Sequence, residues 1–490
     1  MIYTVDGLEN DHPIRDMLLN LLPAEIPERV DVADDSEPNA LGVTVDRLGS
    51  ETRIRACCRR EGRQNCCEKV VPVTGSPADN KRAESHAIKM AVFDTVTPFL
   101  DFVPEWGSLT GVRPAKFARG FLEKGYTPAE VARIMTEEYK VSPARRALAI
   151  RSAGIAWDYK KKLAPKDISL YIGIPFCPSR CSYCSFVSHS IEKAGALMAP
   201  YLDTLCAEIE HAGQVVRQAG LRIVSAYIGG GTPTTLSAQQ LERLLGTVHR
   251  SFDLSACSEF TVEAGRPDTI TEEKLRVLAQ HGVDRISINP QSMNDEVLAA
   301  IGRKHSAQDV IRTYRMAREI GFHVINMDTI AGLDGDTPER FAHTIEELIA
   351  LQPENITVHT LAVKRGANQN DRLRAVGRHE AVRQMLEHAT KRLTAAGYSP
   401  YYLYRQKFMA GGYENVGWTR QGFECAYNIY MMEELQTILS LGAGGVTKLI
   451  GADSYKIRRI SNPKYPYEYN SALEKINAGK QALIDWAAAL

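Results

Sequence analysis

The strongest constraint on the fold is a pattern that repeats six times between residues 167 and 363: a short apolar run, a loop, then a helix with recognisable ends. The apolar runs fall at 169–174, 225–228, 259–262, 285–289, 324–330 and 355–358. Ser237-x-x-Gln240 and Thr269-x-x-Glu272 read as capping boxes, and Thr337-Pro338 supplies a cap and a first-turn proline. Gly282 and Gly321 stand where helix C-caps belong. Strands alternating with helices in this way predict a parallel α/β sheet or a partial (β/α)6 barrel, two units fewer than the closed eightfold form.

A chain of 490 residues exceeds one core and predicts two or three domains, and the pattern along it divides into three. Residues 1–165 read as an N-terminal α+β domain with strands at 40–45, 53–58 and 67–73 and a helix over 79–99. Thr127-Pro-Ala-Glu130 opens another helix, and the lysine-rich stretch 159–165 reads as a linker. Residues 166–373 form the barrel, and 374–490 a smaller C-terminal accessory or cover domain.

Lys plus Arg balances Asp plus Glu at 59 each. No global field therefore draws nucleic acid or an anionic membrane, and a discrete site for a small-molecule substrate is expected. The sequence offers neither a signal-like segment nor a membrane-spanning apolar run, so it reads as cytoplasmic. In that setting the ten cysteines argue for reduced thiols or metal ligands rather than a disulfide framework.

Chemistry concentrates where barrel strands end, the face on which such folds build active sites. Cys177, Cys181 and Cys184, spaced C-x3-C-x2-C, follow the first strand. Three thiolates are one fewer than a [4Fe-4S] cluster ordinarily takes, so one iron would stay open; Cys206 lies across a predicted helix from them. Gly229, Gly230, Gly231 and Thr232 follow the second strand, Glu263 ends the third, Asn289 and Gln291 follow the fourth, and Asp328 sits late in the fifth. The glycines let backbone approach a ligand without a Cβ clash, and Glu263, Gln291 and Asp328 offer acceptors for a cation or ribose hydroxyls. A tight turn is the competing reading for the glycines, and ion pairing with Arg266 or Arg285 for the two carboxylates. Arg303 and Lys304 suit a carboxylate, or else a solvated helix end.

The string Tyr171-Ile-Gly-Ile-Pro-Phe-Cys-Pro-Ser-Arg-Cys-Ser-Tyr-Cys-Ser-Phe186, with Gly229-Gly-Gly-Thr-Pro233, Glu263, Asn289-Pro-Gln-Ser292, Gly302-Arg303 and Asp328-x-x-x-Gly332-Leu333, resembles the oxygen-independent coproporphyrinogen III oxidase family of radical S-adenosylmethionine (radical SAM) enzymes. The N-terminal extension and the 413–445 region look most like its HemZ branch, the coproporphyrinogen dehydrogenase type. The resemblance implies a [4Fe-4S] cluster held by Cys177, Cys181 and Cys184. It implies one or two molecules of S-adenosylmethionine, contacted by Gly230, Gly231, Thr232, Glu263, Gln291, Arg303 and Asp328, with Tyr171 bordering the site. The implied reaction removes a hydrogen from a propionate of coproporphyrinogen III, then carbon dioxide and one electron, leaving the vinyl groups of protoporphyrinogen IX in haem biosynthesis. A reduced flavodoxin or ferredoxin is the implied electron donor, and a monomer the implied state.

The well-studied oxidase branch differs in having histidine where this chain has Gly173 and cysteine where it has Phe186. A related radical SAM methyltransferase or tailoring enzyme is the alternative. A haem chaperone ranks lower, because Glu414-Asn415-Val416-Gly417-Trp418-Thr419 lacks the histidine of that branch. Outside the motifs, Cys57-Cys58 and Cys66-Cys67 flank a hairpin turn near Gly62 and read as buried or incidental thiols.

Overall fold

The computed structural model describes residues 1–490 except 24, 33–36, 185–187, 363–376, 407–411 and 452–456. The chain divides into two units, one of residues 1–150, 362–380 and 405–414, the other of 151–361, 381–404 and 415–490. The expected boundary at 373/374 and the Phe186 position both lie outside the described residues.

The first unit contains a five-stranded sheet. Ile2–Asp6 lies parallel to Ala40–Arg47, which pairs antiparallel with Glu51–Arg60 and through it with Arg63–Pro72. One face packs Val43, Val45, Ile54, Ala56 and Cys58 against helices His12–Leu21 and Pro77–Val96, while alternate residues face outward. The expected strands are thus present, joined by Ile2–Asp6 and the helix His12–Leu21, which no sequence signal had marked. Helix Pro128–Glu137 carries the expected capping box, Thr127 to Glu130.

All six barrel strands occur, at Asp167–Ile174, Arg222–Gly230, Phe260–Gly265, Arg285–Ile288, Val324–Ala331 and Asn355–Thr360. They pair in parallel, in sequence order. Their burial on both faces explains the near-continuous apolar runs, since helices cover a parallel sheet from outside. The Ser237 capping box, the Thr337 cap and the left-handed C-cap at Gly321 (φ +110°) stand as expected. Thr269 does not cap: it closes a short 3-10 turn, and Thr271 instead accepts from Lys274 N–H at the start of helix Glu272–Gln280.

Where a separate cover domain was expected, the described strands extend this same sheet. Thr437–Leu441 lies parallel to Asp167–Ile174 as a seventh parallel strand, followed by antiparallel Val446–Ile450 and Ile457–Ser461. At the opposite edge Asn415–Thr419 and Ser399–Tyr404 pair antiparallel beyond Asn355–Thr360. The physical reason is edge satisfaction, for an open parallel sheet leaves a row of unpaired backbone groups on each side. Among the described residues no helix is long and apolar enough to cross a membrane.

Candidate active site

The cysteine loop begins in a two-stranded sheet of its own, apart from the barrel sheet. Phe176–Cys177 pairs with His189–Ser190, and Phe176 is fully buried, its ring edge-on to Tyr201 at 5.4 Å. The second strand's glycine turn lies directly against this segment: Gly231 N–H donates to Ile174 O at 2.7 Å and Thr232 N–H to Phe176 O at 2.7 Å. A Cβ on Gly231 would stand 2.5 Å from Phe176 O, and one on Gly229 2.8 Å from Glu263 Oε2. Gly230 adopts φ +112°. The turn therefore requires glycine both for its backbone and for the close approach of its neighbours.

Two donors reach the sulfurs. The Thr232 hydroxyl lies 3.5 Å from Cys177 Sγ, and Arg266 Nη1 lies 3.9 Å from Cys181 Sγ while also donating to Ser179 O and Ser179 Oγ. Arg266 is buried and grips Asp268 with two hydrogen bonds, 2.9 and 2.7 Å. It is therefore not the ion-pair partner of Glu263. Arg285 is likewise engaged elsewhere, with Glu259 at 3.4 Å and Phe423 O at 2.9 Å, so neither competing ion-pair reading holds.

Glu263 accepts from the Tyr227 hydroxyl at 2.6 Å and from Gly230 N–H at 3.3 Å. Burial pushes its carboxyl up to about 7, against the pull of the Tyr227 hydrogen bond, and the nearby Asp328 charge adds to the rise. Asp328 is opposite in character. Burial raises it too, but contact with His359 at 3.7 Å and hydrogen bonds from Asn326 and Thr357 prevail and hold it below the usual carboxylate range. Two neighbouring carboxyls are thus driven apart in affinity for a proton.

Gln291 sits at φ +69°, a conformation that side-chain-bearing residues rarely adopt. Its backbone is pinned by an isolated bridge to Thr329 and by a bond to Asp328 O at 2.9 Å, and its buried Oε1 has no partner. Backbone strain and an unmet acceptor thus coincide at one residue, a pairing that clusters at functional sites. Arg303 shows the same feature: Nη2 donates to the Tyr183 hydroxyl at 2.7 Å, while Nε and Nη1 are buried without partners. Tyr183 belongs to the cysteine loop, so Arg303 stands beside the thiols. Lys304 instead makes an exposed pair with Glu192.

Tyr171 is the first of three parallel rings, stacked with Tyr227 at 6.2 Å and Tyr427 at 6.1 Å, the latter two 4.5 Å apart. Burial drives its hydroxyl well above the ordinary value. Tyr227, Tyr427 and His359 escaped the sequence reading as site residues, and Arg266 enters it only as an ion-pair partner for a carboxylate. Tyr227 offered a signal, since its strand ends in the glycine turn; Tyr427, on helix Ala426–Glu433, offered none.

Among the described residues no three His, Cys, Asp or Glu side chains are gathered closely enough to hold a metal ion, so the three thiols share a loop rather than a ligand geometry. Cys206 is buried on helix Met198–Ala219, and burial raises its thiol. The surroundings nevertheless suit a thiolate-ligated group and an amino-acid-bearing ligand. Donors reach Cys177 and Cys181, a glycine cradle adjoins them, Gln291 Oε1 is unpartnered just past the fourth strand, and Arg303, on the loop after helix Asp295–Ala300, keeps two unpartnered donors.

The radical SAM superfamily model matches residues 171–348. The chain is 40% identical over 378 residues to the oxygen-independent coproporphyrinogen-III oxidase-like protein HemZ of Bacillus subtilis (strain 168), covering 76% of this chain and 75% of that one. It is 28% identical over 305 residues to the heme chaperone HemW of Escherichia coli (strain K12), covering 62% and 75%. The solved structure of coproporphyrinogen III oxidase HemN from Escherichia coli superimposes with a TM-score of 0.52 at 24% identity over 66% of this chain and 73% of that one, a likeness of fold. The partial barrel, its strand-end residues and these similarities agree: the chain belongs to the radical SAM superfamily, in the family that contains the HemZ, HemN and HemW proteins, and that family implies a [4Fe-4S] cluster and S-adenosylmethionine.

Proposed function

We propose that the protein is a radical SAM oxidoreductase that decarboxylates propionates of coproporphyrinogen III to vinyl groups. The observation that carries this reading is the meeting of the cysteine loop, the glycine cradle, Glu263, Gln291 and Asp328 at the same ends of successive parallel strands. When bound, the cluster and S-adenosylmethionine supply a hydrogen-abstracting radical; the protein orients the reactants and excludes water.

Cys177, Cys181 and Cys184 hold the cluster in this reading. Arg303, with two unmet donors, would hold the carboxylate of S-adenosylmethionine, and Gly230, Gly231 and Thr232 would leave room for its methionyl part. Glu263 and Asp328 divide the remaining work. The low-affinity carboxylate of Asp328 would accept from ribose hydroxyls, and Glu263, oriented by Tyr227, would accept from the amino group. Gln291 Oε1 takes a ribose or adenine donor. Tyr171 and its two stacked partners form an aromatic wall against which a flat tetrapyrrole packs.

The haem-carrier alternative finds no support at the comparable segment. Glu414 stands there where the carrier branch has histidine, buried, accepting from Trp106 Nε1 at 2.7 Å and lying 3.1 Å from Arg145 Nε. The deciding experiment incubates reconstituted, reduced protein anaerobically with S-adenosylmethionine and coproporphyrinogen III. Deoxyadenosine together with stepwise loss of two carboxyl groups supports the oxidase. Deoxyadenosine with an unchanged porphyrin discards the substrate and favours the methyltransferase or tailoring alternative. Tight haem binding without turnover favours the carrier.

A further inference from the structure

The two cysteine pairs of the N-terminal hairpin differ in fate. Cys57 and Cys66 are directly opposed in the antiparallel register of Glu51–Arg60 and Arg63–Pro72, with Cα atoms 4.1 Å apart, and they form a disulfide. Their immediate neighbours do not join it. Cys58 points to the other face, fully buried among the apolar residues over the helices, where burial pushes its thiol up to about 11. Cys67 opposes Ala56 on that same inward face, half-buried, and burial raises its thiol as well. The expectation that these four are buried or incidental thiols is therefore corrected for Cys57 and Cys66. The register of a tight hairpin brings that one pair face to face on the outward side of the sheet.

Four features of this bond point to exchange rather than to a stability staple. It closes a loop with a sequence separation of only 9 residues. Those residues are already held by an unbroken ladder from Glu51↔Pro72 to Arg60↔Arg63, so little chain freedom is left for the bond to remove. Cys66 is exposed, open to attack from solvent. Arg55 and Arg59 stand two residues either side of Cys57 on the same face, where positive charge favours a departing thiolate. Because the ladder fixes both strands independently of the sulfurs, the bond can open and close without rearranging the backbone.

We propose that Cys57 and Cys66 form a reversible thiol–disulfide exchange site that takes a dithiol reductant from solution. A thiolate of the dithiol bonds to Cys66 Sγ, the Cys57–Cys66 bond breaks, and Cys57 leaves as a thiolate that takes up a proton. The second thiol of the dithiol then attacks the mixed disulfide, releasing Cys66 as a thiol and the partner as its own disulfide. Two electrons and two protons thereby pass to the protein, and the reverse sequence returns them. Raised thiols at Cys58 and Cys67 are poor internal nucleophiles, which leaves the exchange to an external partner.

The test equilibrates the full-length native protein with buffers of graded reduced-to-oxidised dithiothreitol ratio, blocks free thiols with N-ethylmaleimide and maps peptides by mass spectrometry without further reduction. Expected is one smooth, reversible transition in which the cross-linked Cys57–Cys66 peptide is replaced by two blocked cysteines, with far-UV circular dichroism unchanged throughout. A bond that resists excess dithiothreitol until the chain unfolds, or one that never forms under the oxidised buffer, overturns the proposal. The double variant Cys57→Ser, Cys66→Ser should lose the transition yet keep the iron content of the wild type. Loss of iron in that variant would show that the pair serves the cluster and would also overturn it.

Discussion

Two groups of cysteines, one on the N-terminal hairpin and one on the first barrel loop, show how backbone context decides the chemistry of the same side chain. On the hairpin an antiparallel register sets Cys57 and Cys66 opposite one another, so two sulfurs meet and bond. On the barrel loop Cys177, Cys181 and Cys184 follow one another with no opposing strand of cysteines, so the thiols stay free, and Cys177 meets the Thr232 hydroxyl and Cys181 the Arg266 cation instead. Sequence spacing alone separates these poorly, because vicinal pairs and C-x3-C-x2-C both read as clusters. Register separates them completely.

The sharpest way to break the contrast is Cys181→Ala. Iron content and deoxyadenosine formation should fall to background, measured by metal analysis and mass spectrometry after anaerobic reconstitution; wild-type iron content would remove Cys181 from the ligand set. Next in size is Arg266→Met, which strips the cation from Cys181 and Ser179 and leaves Asp268 without its two donors. Breaking these charged hydrogen bonds in a largely enclosed site should cost about 2–3 kcal/mol, read by urea denaturation, with weaker iron retention on dilution. An unchanged midpoint would mean that the loop is held by its backbone alone.

A third prediction concerns proton affinity. Glu263 is raised from an ordinary 4.5 to about 7, so between those values the folded chain holds a proton that the unfolded chain has released. The stability this gives is full below 4.5 and fades as pH rises through 7. Glu263→Gln, neutral at every pH, should therefore melt above the wild type at pH 8 in the cofactor-free protein, the gap closing by pH 5; a gap independent of pH would refute the raised affinity. Smallest of all is the double variant Cys57→Ser, Cys66→Ser. Its cost should stay under the ~3 kcal/mol that closing a 15-residue loop gives an unconstrained chain, since the hairpin ladder already does most of that work. A larger loss in thermal unfolding would make the bond structural after all.

Much of this arrangement was legible in the sequence. The six barrel strands announced themselves as apolar runs punctuated by capping residues, and because strand ends carry the site in such folds, Cys177, Glu263, Gln291 and Asp328 could be grouped before any coordinates. The hairpin too was readable, with its turn near Gly62. What escaped depended on pairing over long distances. Thr437–Leu441 is a five-residue apolar run that could equally belong to a separate domain, and only its alignment with Asp167–Ile174 makes it part of the barrel. Tyr227 stands just before the glycine turn, yet nothing in sequence shows that its hydroxyl reaches the carboxyl of Glu263, 36 positions on. Phe260–Gly265 supplies both Glu263 and the turn toward Arg266, yet a rule of nearest charge would have paired those two wrongly.

That late strand also governs how the protein must be made. The ribosome delivers Asp167–Ile174, with the cysteine loop behind it, about 260 residues before Thr437–Leu441 emerges to lie alongside. During that interval one flank of the first strand stays bare, a template for mispairing with other nascent chains. Slow, non-local closure of this kind makes the final stretch of synthesis the moment when the barrel is sealed, and a chain cut short before residue 437 is expected to accumulate in inclusion bodies rather than as a smaller working enzyme.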